Sequence, residues 1–441
     1  MPVTRRPVLA AALAAALATA LATALLALSP PSGAAELPRA APEAVGLSSA
    51  RLALLGERIR ADVAARVIPG AVLLVARHGR VAYLETFGSR DPAAPDPMTA
   101  EDIFRIYSMS KPITTVAAMM LVEDGRIALD DPVSKYVPAF AHQSVAVAKA
   151  SGDGYDLVPA RRPSTVQDLM RHTSGLTYGF FGNLPAKRAY LDAGLLRGDF
   201  DNKEFAERIA ALPLAFQPGT TWDYSHSTDV LGRVVEVASG QSLFAFEKSR
   251  ILDPLGMRDT SFTVPEPERQ ARVAEPFADD RVFGTEAAFN DPRLPNRYES
   301  GGGGMVSTVG DYARFLEMLR AGGTLDGHRI LSPATIAYMT SDQTGPGSGV
   351  TPGPYYLPGP GYGFGLGFAV RRDAGIAPVP GSVGEYNWGG VGGTAFWVDP
   401  KQDLFVVFML QAPRARLAYR PLLRDMIYAA IVDAPSGRPA P

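Results

Sequence analysis

The first helical period of the chain runs through Leu52, Leu55, Ile59 and Val63, behind Ser48 and Ser49, either of which can cap the first turn. Ile68-Pro69-Gly70 is expected to end that helix. Two apolar runs follow, Ala71 to Arg77 and Val81 to Phe87, around His78-Gly79, and predict a hairpin. A second hairpin is predicted far downstream, Ala395 to Val398 and Leu404 to Leu410 around Asp399-Pro400. The closing helix is placed at roughly Pro421 to Val432, with Leu423, Ile427 and Ile431 on one face. Between these ends the patterning is helical over Thr114 to Asp124, Val166 to His172, Lys203 to Leu212, Thr228 to Ser239 and Asp311 to Ala321. Gly301 to Gly304 and Gly345 to Gly363 are loop-like.

Strands at both ends and few in the middle predict an α+β fold. One antiparallel sheet is built from the two ends of the chain, flanked by helices, with an inserted, mostly helical lobe. The expected organisation is a single domain over 36–435. Its α/β lobe spans about 36–105 and 325–435, its helical lobe about 106–324, and a flexible tail covers 436–441. A site between the lobes is the natural expectation.

Residues 1–35 read differently. Arg5 and Arg6 precede an apolar stretch from Val8 to Leu28, broken by Pro30, Pro31 and the small residues Ser32 to Ala35. This is the pattern of an export signal cleaved near Ala34 or Ala35, which implies a periplasmic or secreted protein with no membrane contact after cleavage. The alternative is an uncleaved anchor, since about 20 apolar residues can span a bilayer.

Composition narrows the chemistry. A hydrophobic fraction of 46% and a charged fraction of 20% are ordinary for a globular protein. The formal net charge of -2 argues against a nucleic-acid partner. There is no cysteine, which excludes disulfides, a thiol nucleophile and thiolate metal sites. The five histidines, His78, His142, His172, His226 and His328, are scattered without metal-binding spacing, so neither a metal nor a cofactor is expected.

The sharpest local signal is Tyr107-Ser108-Met109-Ser110-Lys111-Pro112, the only S-x-x-K in the chain. At a helix start, Ser108 and Lys111 share a face. A lysine beside a serine hydroxyl accepts its proton when burial destabilises the ammonium. The free N–H groups of the first turn, that of Ser108 included, are then available to an oxyanion. No serine stands in a G-x-S-x-G elbow, so an α/β-hydrolase is excluded.

Trp222-Asp223-Tyr224-Ser225-His226-Ser227 adds a tyrosine, with His172-Thr173-Ser174-Gly175-Leu176 between the two motifs. Together with Ile68-Pro69-Gly70-Ala71, Phe104-Arg105-Ile106, Pro218-Gly219 and the Gly301-to-Thr308 segment, the sequence resembles the serine β-lactamase and penicillin-recognising family. The likeness is greatest to class C β-lactamases and family VIII carboxylesterases, and it runs from about Pro42 to Val432. It implies the β-lactamase/transpeptidase-like fold. Ser108 and Lys111 match the first motif of that family. Tyr224-Ser225-His226 matches the second, with His226 where asparagine is usual. Trp388-Gly389-Gly390, followed by Val391, is the best match to the third, which should lie on an edge strand.

The resemblance implies that Ser108 attacks a carbonyl while Lys111 and Tyr224 take its proton. Tyr224 then serves the leaving group, and the N–H groups of Ser108 and Val391 form the oxyanion hole. A free tyrosine ionises near pH ~10 and a nearby ammonium favours its phenolate, so the pair can share a proton. Gly389 and Gly390 allow close backbone approach. His226 is expected to orient Lys111 or a substrate oxygen, or else to make a structural contact; His172 reads as structural, bonded to backbone. Tyr178, Phe180 and Phe181 either line an acyl pocket or pack in the core.

The departures guide the substrate. Where β-lactamases of this family use the lysine of K-T-G toward a carboxylate, Trp388 offers an uncharged plate, and family esterases carry W-G-G there. Cleavage of small carboxylic esters is therefore favoured. Two alternatives remain: a β-lactamase or D-stereospecific peptidase acting on cell-wall-like amides, and a catalytically silent binding member of the fold.

Overall fold

A computed structural model describes residues 36–94, 96–152, 154–195, 199–282 and 291–433. The expected leader over 1–35 and tail over 436–441 lie outside them. The first helix, α1 (Ser49–Ala64), is capped as its sequence suggests: the Ser48 hydroxyl accepts the Arg51 N–H. It stops earlier than Ile68-Pro69-Gly70, because Arg66 takes a left-handed conformation with φ 56°. Gly70 already opens β1 (Gly70–Arg77), which pairs with β2 (Arg80–Asp91).

Helix α2 (Ser110–Glu123) is buried from Ser110 to Leu121 and packs against α3 (Ser227–Ser239) in the middle of the chain. A helix apolar all round is a core helix, and this one carries the S-x-x-K lysine into the interior. Helix α4 (Val309–Arg320) follows the glycine run, and strands β3 (Tyr386–Gly389), β4 (Gly393–Asp399) and β5 (Leu404–Gln411) complete the downstream half. The closing helix α5 (Arg416–Tyr428) begins five residues before Pro421, which stands inside it. The carbonyl that loses its donor there belongs to Leu417, which is exposed, so water can serve it.

One antiparallel sheet joins both ends of the chain. Its order is Tyr362–Phe364, Ala369–Arg371, β3, β4, β5, β1, β2 and Asp96–Pro97. In β1, Val72, Leu74 and Ala76 face the large core shared with α2 and α4. Ala71, Leu73 and Val75 face a second core beneath α1 and α5. A strand buried on both faces reads as a continuous apolar run, and for that reason the central strands were visible in the sequence. The hairpin Ser144–Ala148 with Tyr155–Pro159 was not anticipated, because half of its residues face solvent and Ala dilutes the alternation. Among the described residues no helix is long and apolar enough to cross a membrane.

Candidate active site

Ser108 sits at a junction between sheet and core helix. Phe104–Arg105 pairs with Val306–Ser307, the Ile106 N–H reaches the Met305 carbonyl at 3.0 Å, and a single 3-10 turn, Tyr107–Met109, leads into α2. Ser108 thus lies one turn ahead of the α-helix expected to hold it. The 3-10 turn stacks positions three apart, so the alignment with Lys111 survives. Tyr107 has φ 46°, an uncommon conformation for a bulky residue, and Ser110 Oγ donates to its carbonyl at 2.7 Å. The bonds of this turn are donated by Met109 and Ser110, so they do not consume the Ser108 N–H.

Lys111 is 1% exposed, and its Nζ lies within hydrogen-bonding distance of three oxygens: Ser108 Oγ at 3.3 Å, the Tyr178 hydroxyl at 3.2 Å and the Gly302 carbonyl at 2.5 Å. Tyr178 is expected from the sequence only as pocket lining or core packing, and its contact with the lysine is not foreseen. Nothing in the local sequence marks it, since the contact spans 67 positions. Burial, with Asp229 and Tyr224 close by, pushes the Tyr178 phenol well above its ordinary range, so its oxygen is the neutral acceptor this geometry needs.

Tyr224 comes from the short segment before α3. Lys111 Nζ lies over its ring, 4.6 Å from the centroid. The Tyr224 hydroxyl oxygen accepts the Trp388 indole N–H at 3.1 Å. Trp388 is therefore more than the apolar plate read from the sequence; it grips the second motif from the third.

His226 does not bond Lys111. Its Nδ1 meets Asp229 Oδ2 at 2.9 Å, and its ring packs 4.2 Å from that of Tyr178. Asp229 in turn accepts the Gly302 N–H at 3.0 Å and the Ser300 hydroxyl at 2.5 Å. Burial pushes the Asp229 carboxyl up, but the His226 contact and the Lys111 charge more than offset it and hold it below the usual range. Asp229 ties the glycine loop whose carbonyl binds Lys111 to the His226 motif, an organising residue the sequence reading overlooked. His172 bonds Ser225 Oγ at 3.1 Å rather than backbone, though its own carbonyl accepts the Asp223 N–H at 3.0 Å. Burial and then the Lys111 charge hold its imidazole well below its ordinary pKa.

The third motif needs a correction. β3 is not an edge strand, because Ala369–Arg371 pairs with it. That pairing covers only Tyr386 and Asn387, so Trp388 and Gly389 still run past their neighbour with one side open. Close contact with the serine segment follows from small residues. A Cβ on Gly390 would lie 2.5 Å from the Ile106 carbonyl, and one on Gly392 would lie 2.7 Å from the Tyr107 ring. Val391, held between them, lines the same two cavities as Ser108 and Tyr224. Tyr178, Phe180, Phe181 and His226 enclose one of these cavities, while Tyr178 is also part of the large core and Phe180 and Phe181 pack against it, so both the lining and the core-packing readings apply. Trp388, Gly389 and residues of α5 enclose the other. Among the described residues no cluster of three histidine or carboxylate side chains is placed to hold a metal.

Comparisons with known proteins identify the family and the fold. The Beta-lactamase family model matches residues 55–425. The chain is 35% identical to Esterase EstB of Burkholderia gladioli over 389 residues, which is 82% of this chain and 92% of that one. It is 30% identical to the Lovastatin esterase of Penicillium rubens, over 78% of this chain and 89% of the other. The solved structure of EstCE1, described as a hydrolase with promiscuous acyltransferase activity, superposes with a TM-score of 0.72 at 31% identity, over 86% of this chain and 99% of that one.

Proposed function

The chain belongs to the beta-lactamase family, and from that premise we propose that it is a serine hydrolase cleaving carboxylic esters through an acyl-enzyme on Ser108. One observation carries this reading: Ser108 Oγ lies 3.3 Å from a buried lysine amine, at a wall shared by two cavities that can take the two halves of an ester. The naming of relatives as esterases supports the choice of ester over amide.

Each step is assigned to Ser108, to a residue lining the cavities there or to the lysine beside it. Ser108 Oγ adds to the ester carbonyl carbon while Lys111 Nζ takes its proton. The Tyr178 oxygen and the Gly302 carbonyl stabilise the resulting ammonium. The N–H groups of Ser108 and Val391 receive the negative charge on the former carbonyl oxygen. Tyr224, fixed by Trp388, protonates the departing alkoxide and is reprotonated from Lys111. Water then adds to the acyl-enzyme by the reverse path and frees the acid.

Parallel hydrolysis of p-nitrophenyl butyrate and nitrocefin tests the reading, with Ser108→Ala as control. Strong ester turnover that vanishes in the variant, beside little nitrocefin cleavage, is the expected result. Faster nitrocefin cleavage would replace the esterase by a β-lactam hydrolase on the same residues.

A further inference from the structure

One buried acid near the site has no part in the chemistry above. Glu247 ends the short helix Leu243–Glu247, which packs against α2 and α3. Its side chain is fully enclosed; Oε1 lies 2.8 Å from Thr114 Oγ1, and Oε2 has no hydrogen-bond partner among the described residues. An ionised carboxylate would strand a charge there with one oxygen unsolvated. Thr114, equally buried, stands one turn beyond Lys111 on α2, and its hydroxyl also lies 3.2 Å from the Gly301 carbonyl. A hydroxyl has one proton, and a carbonyl can only accept. Both contacts are hydrogen bonds when Thr114 donates to Gly301 and Glu247, as the neutral acid, donates to Thr114. Burial pushes the Glu247 carboxyl well above its usual range, opposed by the Thr114 contact and helped by the charges of Glu299 and Glu236. Those carboxylates act on it from the segment ahead of the glycine run and from α3. Lys248 and Arg250, on the turn that follows, are exposed and paired with Asp253 and Asp124.

The relay ends on the loop that holds Lys111. The Gly301 carbonyl and the Gly302 N–H belong to one peptide unit, held by Thr114 at one end and by Asp229, at 3.0 Å, at the other. The next carbonyl, that of Gly302, lies 2.5 Å from Lys111 Nζ. Glycine makes the approach possible, since a Cβ on Gly301 would lie 2.8 Å from Thr114 Cγ2.

We propose that Glu247 is a positioning residue of the active site: as a neutral acid it donates to Thr114, Thr114 donates to the Gly301 carbonyl, and the peptide so fixed aims the Gly302 carbonyl at Lys111. This rests on the reading of Lys111 as the base that serves Ser108. The network makes the proton affinity of Lys111 depend on an acid from a different helix.

The test follows Lys111 itself and then turnover. In protein isotopically labelled at lysine Cε, NMR titration reads Lys111, assigned by the signal missing in Lys111→Met. Glu247→Met, apolar and of similar size, should lower the Lys111 pKa, because a carbonyl let out of line stabilises the ammonium less. Thr114→Val should do the same. Glu247→Gln, whose amide still donates to Thr114, should titrate like the wild type. In p-nitrophenyl butyrate hydrolysis the first two variants should lose about fivefold to tenfold in kcat with KM little changed, and the acid limb of kcat/KM should move to lower pH. Glu247→Gln should keep most of the wild-type rate. A Lys111 titration unchanged in both Glu247→Met and Thr114→Val, or Glu247→Gln as impaired as Glu247→Met, would overturn the proposal. Infrared spectra read the protonation state without turnover. The difference between wild type and Glu247→Gln at neutral pH should contain a carboxylic-acid C=O band; a carboxylate band in its place would overturn the proposal as well. Ester hydrolysis that persists in Ser108→Ala would remove the nucleophile, and the titration and infrared outcomes would then decide this proposal by themselves.

Discussion

The Trp388 indole donates to the Tyr224 hydroxyl at 3.1 Å, joining the third motif to the second. Because the tyrosine oxygen receives that proton donor, its own O–H must point away from Trp388, toward the rest of the site. In the proposed mechanism the indole therefore sets the direction in which Tyr224 gives and takes protons.

Trp388→Phe keeps an aromatic plate and removes only this bond. The expected outcome is a loss of about fivefold to tenfold in kcat for p-nitrophenyl butyrate with KM little changed, as one neutral hydrogen bond is worth. A change confined to KM would make Trp388 a substrate contact alone.

Lys111 divides its donors among Ser108, Tyr178 and Gly302. Tyr178→Phe removes one acceptor and leaves the ring that packs on His226. Steady-state kinetics should give kcat lower by about tenfold and a shifted acid limb of the pH profile of kcat/KM. Wild-type values in both would reduce Tyr178 to lining.

The close approach of the Trp388-Gly389-Gly390 loop to the segment before Ser108 is a steric fact with a kinetic consequence. In Gly390→Ala the added methyl meets the Ile106 carbonyl and Thr394 Oγ1 and must push Val391 away. With the Val391 N–H in its proposed role, loss of one oxyanion donor costs roughly a hundredfold in kcat, which is the effect expected, with thermal unfolding showing a folded protein.

His172 gives a pH signature independent of turnover. Its folded pKa is depressed, so below the unfolded value of about 6.5 the unfolded chain binds a proton that the native state refuses. Stability contributed by the neutral imidazole is present above about pH 6.5 and is lost as the pH falls below it. His172→Asn, which can keep the bond to Ser225, should be less stable at pH 7.5, with the gap to wild type narrowing toward pH 5 in thermal melts. A gap constant with pH would mean His172 carries no such linkage.

The central strands, their register-setting turns and the Ser108, Lys111 and Tyr224 motifs were legible because each depends on local pattern: continuous apolar runs, turn residues and short spacings. The network around them was not. Tyr178 and Asp229 act through contacts 67 and 73 positions away, and such pairings leave no local mark. Strand β3 was expected only through the family resemblance, since its role rests on closeness of backbone at Gly389 and the following loop and not on side-chain alternation.

Covalent labelling addresses the nucleophile most directly. Incubation with a fluorophosphonate, followed by intact-mass and peptide mass spectrometry, should show one adduct per chain, located on Ser108, with ester turnover lost in step with labelling. Ser108→Ala should take no label. An adduct on any other residue, or ester hydrolysis that persists in the fully labelled protein, would contradict the account.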